Sequence, residues 1–470
     1  MNEMLVSGGK SQSRKKLLTL TETEQSVMYH VNKPLLRAHS RIPNASKYCS
    51  HLTDLSSFRE PSPIRSLQPF LSRPKMISLG GGMPNPKTFP IESMTFRLKN
   101  GSTVDVSPEE TKKALQYSST KGLPPLHAHL TNLQSNVHDP PNQTDIIITN
   151  GSQDALSKAF EMLLTRSSTL LVESPTYSGS LAFLKPMEVN LLPVATDEYG
   201  LIPDSLASVL ATFDEGGRLD LKKPKVLYTI PTGSNPSGGT LSLDRKKRLY
   251  EIACKHDLII LEDDPYYYIN FEEVRPPSLL SMDVESRVIR FDSFSKLLSA
   301  GMRVGFATGP PELIERMELH HQATLLHASG VSQIIVSALF DHWNGITGFL
   351  EHCEKVTDFY KGQRDCFIKA AKKHLDGLVE MTAPTAGMFA WMKLVGVENS
   401  EDLVMNKAVS ENILMVPGAS FLPSAESGSD NVNTKSPFVR CSFSTATEEE
   451  IDTALERLGN LLRTEAARKK

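Results

Sequence analysis

A lysine lies just beyond an apolar segment, among residues that can bind phosphate. The segment 288–296 carries Ser293 and Ser295 and ends in Lys296, and Arg303 follows seven residues later. A lysine amine forms a Schiff base with an aldehyde cofactor only if it loses its proton, which a partly desolvated site favours. The two hydroxyls and the guanidinium could hold a phosphate group of that cofactor. The spacing therefore predicts that Lys296 binds an aldehyde cofactor covalently. A solvated surface turn is the alternative when the segment is taken alone.

Three consecutive carboxylates end another apolar segment. Residues 257–261 read as a buried parallel strand and are followed by Glu262, Asp263 and Asp264. Ligands bind at the carboxyl ends of strands in open α/β sheets, so Asp263 or Asp264 should face a site. A carboxylate there could pair with a protonated pyridine nitrogen and make the ring a stronger electron sink. The alternation of side chains along the strand does not decide which carboxylate does so.

Two loops that follow predicted strands carry groups suited to a ligand. The Pro- and Gly-rich loop 231–238 is built to place the amide of Asn235. Strand 145–149 runs into Asn150 and then a helical stretch, whose first backbone N–H groups can hold an anion. An ordinary turn is the alternative for the first loop. A helix N-cap formed by Asn150 or Ser152 is the alternative for the second.

Arg440 lies in a segment of alternating polar and apolar residues near the end of the chain. Such a strand could aim the guanidinium inward. A planar guanidinium matches a carboxylate with two parallel hydrogen bonds, as the binding of an α-amino acid requires. The alternative is an exposed strand arginine.

The order of these pieces resembles that of the class I aminotransferases, which carry pyridoxal 5′-phosphate on a fold-type I scaffold. Within that class, the match is closest to the kynurenine/2-aminoadipate aminotransferase family. The resemblance covers roughly residues 61–462, so that the first fifty or so residues lie outside it. The motifs that carry it are the segments 63–65, 115–118, 151–153, 173–179, 262–267, 292–296 and 439–443.

The resemblance implies pyridoxal 5′-phosphate as the cofactor and no metal. It implies Lys296, Asp263 and Tyr177 as catalytic residues, with Asp263 as the partner of the pyridine nitrogen. Tyr177 would stack on the ring, a buried core tyrosine being the alternative. The implied cofactor-binding residues are Ser152, Gln153, Tyr177, Asn235, Asp263, Tyr266, Ser293, Lys296, Arg303 and, reaching across from a second subunit, Tyr117.

The resemblance also implies a homodimer with shared active sites. Met83 departs from the smaller or branched apolar residue expected at its position, which puts the selectivity for the substrate side chain in doubt. The implied substrate-binding residues are Arg65, Gly82, Met83, Tyr117, Asn235 and Arg440.

The implied reaction moves the amino group of kynurenine, 2-aminoadipate or an aromatic or bulky amino acid to a 2-oxo acid such as 2-oxoglutarate. A pyridoxal-phosphate lyase or decarboxylase is the alternative, because lysine, aspartate and phosphate ligands do not fix the reaction type. Retention of Arg440 and of the segment around Arg65 favours transamination. A cofactor-sensing regulator would need a DNA-binding helix-turn-helix, and residues 1–60 lack two adjacent helical patterns.

The pattern of apolar segments predicts an α/β fold. Short strands alternate with helices from about residue 100 to 340, which is typical of a mostly parallel central sheet. Amphipathic helices and alternating strands follow, ending in a helix that Thr447 and Glu450 should cap. With the resemblance, this predicts a fold-type I transferase with a smaller α+β domain formed by both chain ends. The expected divisions are a basic extension (1–55), an N-terminal segment that joins the small domain and covers the active site (56–98), a large cofactor-binding domain (99–344) and a small C-terminal domain (345–470).

Composition and charge argue against a zinc-binding, nucleic-acid-binding or membrane protein. The 470 residues have a net charge of −3 and five cysteines without a Cys-x-x-Cys pair, which favours a reducing compartment and no zinc site. Dispersed charges, and no apolar run near the ~20 residues of a membrane span, indicate neither a nucleic-acid nor a membrane partner. In the first fifty residues, eight lysines and arginines outnumber three glutamates. This resembles a mitochondrial transit segment or a disordered tail, so the compartment is mitochondrial or cytoplasmic, the mitochondrion being favoured.

We expect borohydride reduction of the protein loaded with pyridoxal phosphate to fix the cofactor on Lys296, as peptide mapping would detect. Lys296→Ala should reduce turnover by several orders of magnitude, because a proton-transfer group alone typically contributes about 10²–10⁴-fold. Label on another lysine, or near-normal turnover of the variant, would contradict the assignment.

Overall fold

The computed structural model describes residues 46–67, 70, 73–217, 220–423 and 435–468. Most of the predicted basic extension, residues 1–45, lies outside the described residues. The strands are β1 (Met94–Arg97), β2 (Thr103–Val106), β3 (Asp145–Thr149), β4 (Thr169–Ser174), β5 (Asn190–Asp197), β6 (Gly200–Leu201), β7 (Val226–Thr229), β8 (Ile259–Asp263), β9 (Val288–Ser293), β10 (Gly305–Gly309), β11 (Val379–Glu380), β12 (Phe389–Leu394), β13 (Val416–Pro417) and β14 (Phe438–Ser442).

The helices belong mostly to the connections between these strands. Among the described residues, none is both long and apolar enough to span a membrane. They are α1 (Asp54–Ser57), α2 (Pro108–Ala114), α3 (Pro124–His138), α4 (Ser152–Leu163), α5 (Ser178–Leu184), α6 (Pro203–Asp214), α7 (Leu243–Lys255), α8 (Pro311–Thr324), α9 (Gly330–His342), α10 (Ile346–His374) and α11 (Glu448–Arg468).

An eight-stranded sheet forms the centre of the molecule, with the order β3-β10-β9-β8-β7-β4-β5-β6. The five strands from β9 to β5 are mutually parallel, whereas β10 is antiparallel to both of its neighbours. Short β6 pairs with β5 in the antiparallel direction. The predicted α/β fold with a mostly parallel sheet is therefore confirmed.

The central strands are buried on both faces, which explains their continuous apolar sequences. In β8, Ile259 and Leu261 contact one hydrophobic core, while Ile260 contacts another on the opposite face of the sheet. Helices cover both faces, so that only the ends of the strands are left for a ligand.

A second sheet of four antiparallel strands, β11-β12-β14-β13, lies in the C-terminal part of the chain. Helix α11 buries one face, formed by Ile451, Leu455 and Leu458, in the hydrophobic core that also contains strand residues such as Met392. Its first turn has the predicted capping box: the Thr447 backbone N–H donates to the Glu450 carboxylate at 2.8 Å, and the Glu450 N–H donates to Thr447 Oγ1 at 3.2 Å.

The first described residues of the chain pack against helix α8. Tyr48 is buried, and the buried guanidinium of Arg316 in α8 donates to the Ser56 carbonyl. Further along, Arg65 Nη1 donates to the carbonyl of Ser118 at 2.7 Å. These contacts are with helix α8 and with the segment that precedes α3. Further along the chain, β1 and β2 form an antiparallel hairpin.

Candidate active site

A cavity of about 400 Å³ lies at the carboxyl ends of β8 and β9, where residues of β12 and β14 from the four-stranded sheet complete its lining. Most of the predicted site residues line it. Those residues are Ser152, Gln153, Tyr177, Asn235, Asp263, Tyr266, Ser293, Ser295, Lys296, Arg303 and Arg440. The prediction did not include Leu156, Ser178, Ile230, Pro265, Ala300 and Phe389, which also line the cavity.

Lys296 lies three residues after the end of β9 and is half-buried in the cavity wall. Burial lowers the pKa of its amine, and the positive charges of Arg303 and Arg440 lower it further. Each of these effects favours the neutral, nucleophilic form of the amine. The side chain therefore has the environment that a cofactor-binding lysine requires.

One end of the cavity is suited to an anion. Arg303 has a left-handed backbone (φ 51°), and its guanidinium donates to Ser295 Oγ at 3.3 Å and to the Asn150 carbonyl at 3.3 Å. Helix α4 begins beside it with Gly151 as the N-cap, and no side chain caps its first N–H groups. The alternative of a cap by Asn150 or Ser152 is therefore wrong. At Gly151 (φ 84°) a Cβ would overlap the guanidinium of Arg303, so only glycine allows this approach.

Asp263 occupies the other end of the site and is almost completely buried, with 4% of its surface exposed. Its Oδ2 accepts a hydrogen bond from the Tyr228 hydroxyl at 2.7 Å, whereas the buried Oδ1 has no partner. Burial raises the pKa of this carboxyl to about 7. An unpaired carboxylate oxygen in this position can be satisfied by a cationic N–H group in the cavity.

The neighbouring carboxylates point to the opposite face of the sheet. Arg290, fully buried on β9, donates from Nη1 to Asp264 Oδ2 at 2.9 Å and from Nη2 to Asp292 Oδ1 at 2.9 Å. Its Nη1 is also 3.4 Å from the carboxylate of Glu262. Asp264 and Glu262 are two residues apart and so share a face, while Asp263 lies between them on the other. Of the three carboxylates, the structure thus brings Asp263 to the cavity.

Arg440 reaches the cavity from β14 and is held in a defined orientation. Its Nη1 donates to Asn235 Oδ1 at 2.9 Å, and its guanidinium carbon lies 4.3 Å from the ring centre of Phe389 and 4.9 Å from that of Phe421. Its buried Nε has no partner. The side chain is therefore directed inward, and the exposed-arginine alternative is wrong.

The two predicted aromatic residues lie on the cavity wall. Tyr266 is buried and packs edge-to-face on Phe389 with ring centres 6.0 Å apart. Tyr177 is half-buried, immediately before α5, and a Cβ on Gly179 would overlap its ring. Burial and the nearby charge of Asp263 raise the pKa of both phenols, which keeps them protonated.

Four predicted residues do not line this cavity. Tyr117, with 49% of its surface exposed, borders a separate cavity of about 680 Å³. Arg65 donates to the carbonyl of the adjacent Ser118, and Gly82 and Met83 are exposed on the surface. Within one chain, the structure does not bring these residues to Lys296.

Two buried residues behind the cavity were missed. Tyr228 contacts Asp263, as described, and Glu173 accepts hydrogen bonds from Thr229 Oγ1, the Ile230 N–H and Ser234 Oγ at 2.5, 3.0 and 3.1 Å. Burial raises the pKa of Glu173 to about 7. The sequence did contain a signal for it, because Glu173 ends an apolar strand just as Asp263 does.

Three comparisons relate the chain to known proteins. Residues 90–458 match the family model described as aminotransferase class I and II. The chain is 45% identical over 428 residues to the mitochondrial kynurenine/alpha-aminoadipate aminotransferase of Rattus norvegicus, covering 88% of this chain and 99% of the relative.

The structure is similar to solved aminotransferases. That of aminotransferase Aro8 from Candida albicans aligns with a TM-score of 0.81 and 29% identity, covering 91% of this chain and all of the other. The Pyrococcus horikoshii kynurenine aminotransferase, solved in complex with PMP, KYN and KYA, aligns with a TM-score of 0.69 and 30% identity, covering 88% of this chain and 98% of the other.

We expect Asp263→Asn to retain the fold but to slow severely the removal of the substrate α-proton, because an amide cannot stabilise a pyridinium charge. Asp264→Asn should leave proton removal near the wild-type rate. It should nevertheless lower the melting temperature, because Asp264 has a buried contact with Arg290. Exchange of the substrate α-proton for deuterium, followed by NMR, measures the first effect, and thermal unfolding the second. The reverse ranking of the two variants in proton removal would show that the wrong carboxylate was assigned.

Proposed function

The chain belongs to the class I and II aminotransferases, which use pyridoxal 5′-phosphate, and from that membership we propose its substrates and the roles of its residues. The amino donors are kynurenine, 2-aminoadipate and aromatic or bulky apolar amino acids, and the acceptor is a 2-oxo acid, with 2-oxoglutarate as the principal one. The identity of 45% to the rat kynurenine/alpha-aminoadipate aminotransferase supports this substrate class.

The residues of the cavity fit the cofactor. The unpaired Oδ1 of Asp263 carries the proposal, because a buried carboxylate oxygen without a donor needs a cationic N–H group such as the protonated ring nitrogen. Ser152, Gln153, Ser293 and Arg303 would hold the phosphate at the other end. When bound, pyridoxal phosphate supplies an aldehyde that exchanges amines and a ring that accepts the electrons of the broken C–H bond.

Lys296 would carry the cofactor covalently and then act as the proton-transfer group. In its neutral form, Nζ would take the α-proton of the amino acid. It would then deliver a proton to the aldehyde carbon of the cofactor, which receives the amino group. The lowered pKa of its amine supports both roles. Tyr177 would stack on the pyridine ring, while Asn235 and Tyr266 would hydrogen-bond the 3′-oxygen of the cofactor.

Arg440 would bind the α-carboxylate that all amino-acid and oxo-acid substrates share. The rings of Phe389 and Phe421 flank its guanidinium, and Asn235 accepts one of its N–H groups, so its orientation is fixed before the substrate arrives. Such pre-organisation reduces the entropy that binding costs.

A second copy of the chain would complete the substrate end of the site. Tyr117 is half exposed, and Ile77 (84%) and Leu79 (96%) are exposed large apolar side chains in the segment before Pro84, whose carbonyl accepts a hydrogen bond from Gln116. A homodimer would bury this surface and could bring Tyr117, Arg65, Gly82 and Met83 to the partner's cavity. The large and small domains and their boundaries, at about residues 99 and 345, remain part of the same proposal.

We also propose that the enzyme acts in the mitochondrion. The rat relative carries that location in its name, and the first fifty residues are rich in lysine and arginine. Fusion of residues 1–60 to a fluorescent protein would test the proposal. Import is the expected result, and a uniformly cytoplasmic signal would contradict it.

The proposed reaction is tested by mixing the loaded enzyme with one amino acid at a time and no acceptor. A donor should yield one equivalent of its 2-oxo acid per active site and leave the cofactor as pyridoxamine phosphate, which 2-oxoglutarate then restores. Release of carbon dioxide, or turnover without an acceptor, would support the lyase or decarboxylase alternative instead.

Arg440 and Arg65 should differ in their effects on substrates. Arg440→Lys should lower kcat/KM for every amino-acid and oxo-acid substrate, because a point charge cannot reproduce two parallel hydrogen bonds. Each such bond is worth roughly 1.5–3 kcal/mol when a charged group is involved. Arg65→Ala should lower kcat/KM more for 2-aminoadipate and 2-oxoglutarate, which carry a second carboxylate, than for kynurenine or phenylalanine. The measurement is kcat/KM for these four substrates. Two results would refute these roles: an equal fall in kcat/KM for all four substrates in Arg65→Ala, or a fall confined to the dicarboxylic substrates in Arg440→Lys.

A further inference from the structure

Tyr228 is a completely buried residue of β7 that has no part in the reaction as described above. Its hydroxyl donates to Asp263 Oδ2 at 2.7 Å and accepts a hydrogen bond from Ser180 Oγ at 3.0 Å. Its ring packs edge-to-face against Phe160, with ring centres 5.6 Å apart. The phenol is thus held from two sides with its proton directed at the carboxylate.

A hydrogen bond of this kind has two consequences for Asp263. It fixes the rotation of the carboxylate, so that Oδ1 is the oxygen left for the cavity. It also stabilises the ionised form of the carboxyl, because the phenol donates to the charged oxygen. Only the ionised form can pair with a protonated ring nitrogen.

We infer that Tyr228 is a positioning residue that keeps Asp263 ionised and turns its free oxygen toward the ring nitrogen of the cofactor. The inference rests on the proposed role of Asp263. It assigns to Tyr228 no contact with substrate or cofactor. Its effect should therefore be seen in the pH dependence of cofactor binding and should require Asp263.

The charges around Asp263 set the direction of that effect. Burial and the nearby carboxylates of Asp264, Asp292 and Glu173 raise the pKa of Asp263, the Tyr228 hydrogen bond lowers it, and the outcome of these effects together is a pKa of about 7. Loss of the hydroxyl should therefore move the titration of Asp263 to higher pH. The remaining groups that face it across the cavity are the phenols of Tyr177 and Tyr266 and the cations Lys296, Arg303 and Arg440.

Glu173 titrates in the same range, because burial raises its pKa to about 7 as well. Its hydrogen-bond donors are Thr229, Ile230 and Ser234, and the substitution of Tyr228 changes none of them. A difference between wild type and a Tyr228 variant therefore reports on Asp263.

The test compares Tyr228→Phe with Tyr250→Phe in the full chain loaded with pyridoxal phosphate. Tyr250 is the matched control, because it is a buried tyrosine that donates to Asp283 at 2.9 Å and does not line the cavity. The fraction of cofactor retained at a fixed free concentration is measured from about pH 5.5 to 9. In Tyr228→Phe, the acid limb of this curve should move up by about one to two pH units, the size expected for a hydrogen bond to a charged group. In Tyr250→Phe it should stay at the wild-type position.

A double variant distinguishes the orientation of Asp263 by Tyr228 from a general loss of packing around Tyr228. In an Asp263→Asn background, Tyr228→Phe should leave the pH dependence of cofactor retention unchanged. An unshifted acid limb in Tyr228→Phe, or a shift that persists in the Asp263→Asn background, would overturn the inference.

Ser180→Ala keeps the inference testable if Tyr228→Phe does not fold. It removes the hydrogen bond that the phenol accepts, and a smaller upward shift is expected. No shift in that variant would count against the inference. Failure of amino transfer with the expected shift intact would refute the proposed reaction and not the role of Tyr228.

Discussion

Asp263 is buried at the end of β8, with one carboxylate oxygen hydrogen-bonded to Tyr228 and the other without a donor. A carboxylate in this environment is costly for the fold, as the rise of its pKa to about 7 reflects. In the proposed function, a protonated ring nitrogen would remove that cost by supplying both a charge and a hydrogen bond. The same interaction would make the ring an electron sink, so that one contact would serve both cofactor binding and chemistry.

The sheet makes this arrangement possible through alternation along a single strand. Ile259, Leu261 and Asp263 point to one face, whereas Glu262 and Asp264 point to the other, where Arg290 neutralises them. The site therefore has one carboxylate available for the cofactor, although the strand ends in three. At the far end of the cavity, the approach of Arg303 to Gly151 provides positive charge where the phosphate would lie.

Much of this was predictable because it depends on local sequence. The buried strands, the loop that carries Asn235 and the lysine after β9 follow from apolar periodicity and from the ends of parallel strands. The choice of Asp263 over its neighbours came from the family resemblance and not from local sequence, since it depends on Arg290 in an adjacent strand. Tyr228 was missed for the same reason, because strand register brings it to Asp263 from a distant part of the chain, whereas Glu173 was missed although it follows an apolar run as Asp263 does. The packing of residues 46–57 likewise depends on tertiary contacts, such as that of Arg316 with Ser56.

The most direct measurement is the protonation state of the ring nitrogen in the bound cofactor. The protein can be loaded with pyridoxal phosphate labelled with ¹⁵N in the ring and its resonance recorded near neutral pH. If Asp263 pairs with the ring as proposed, the resonance should lie in the pyridinium range, with a proton coupled to the nitrogen. A resonance in the range of neutral pyridine would contradict the account, because Asp263 would then hold no cation in this site.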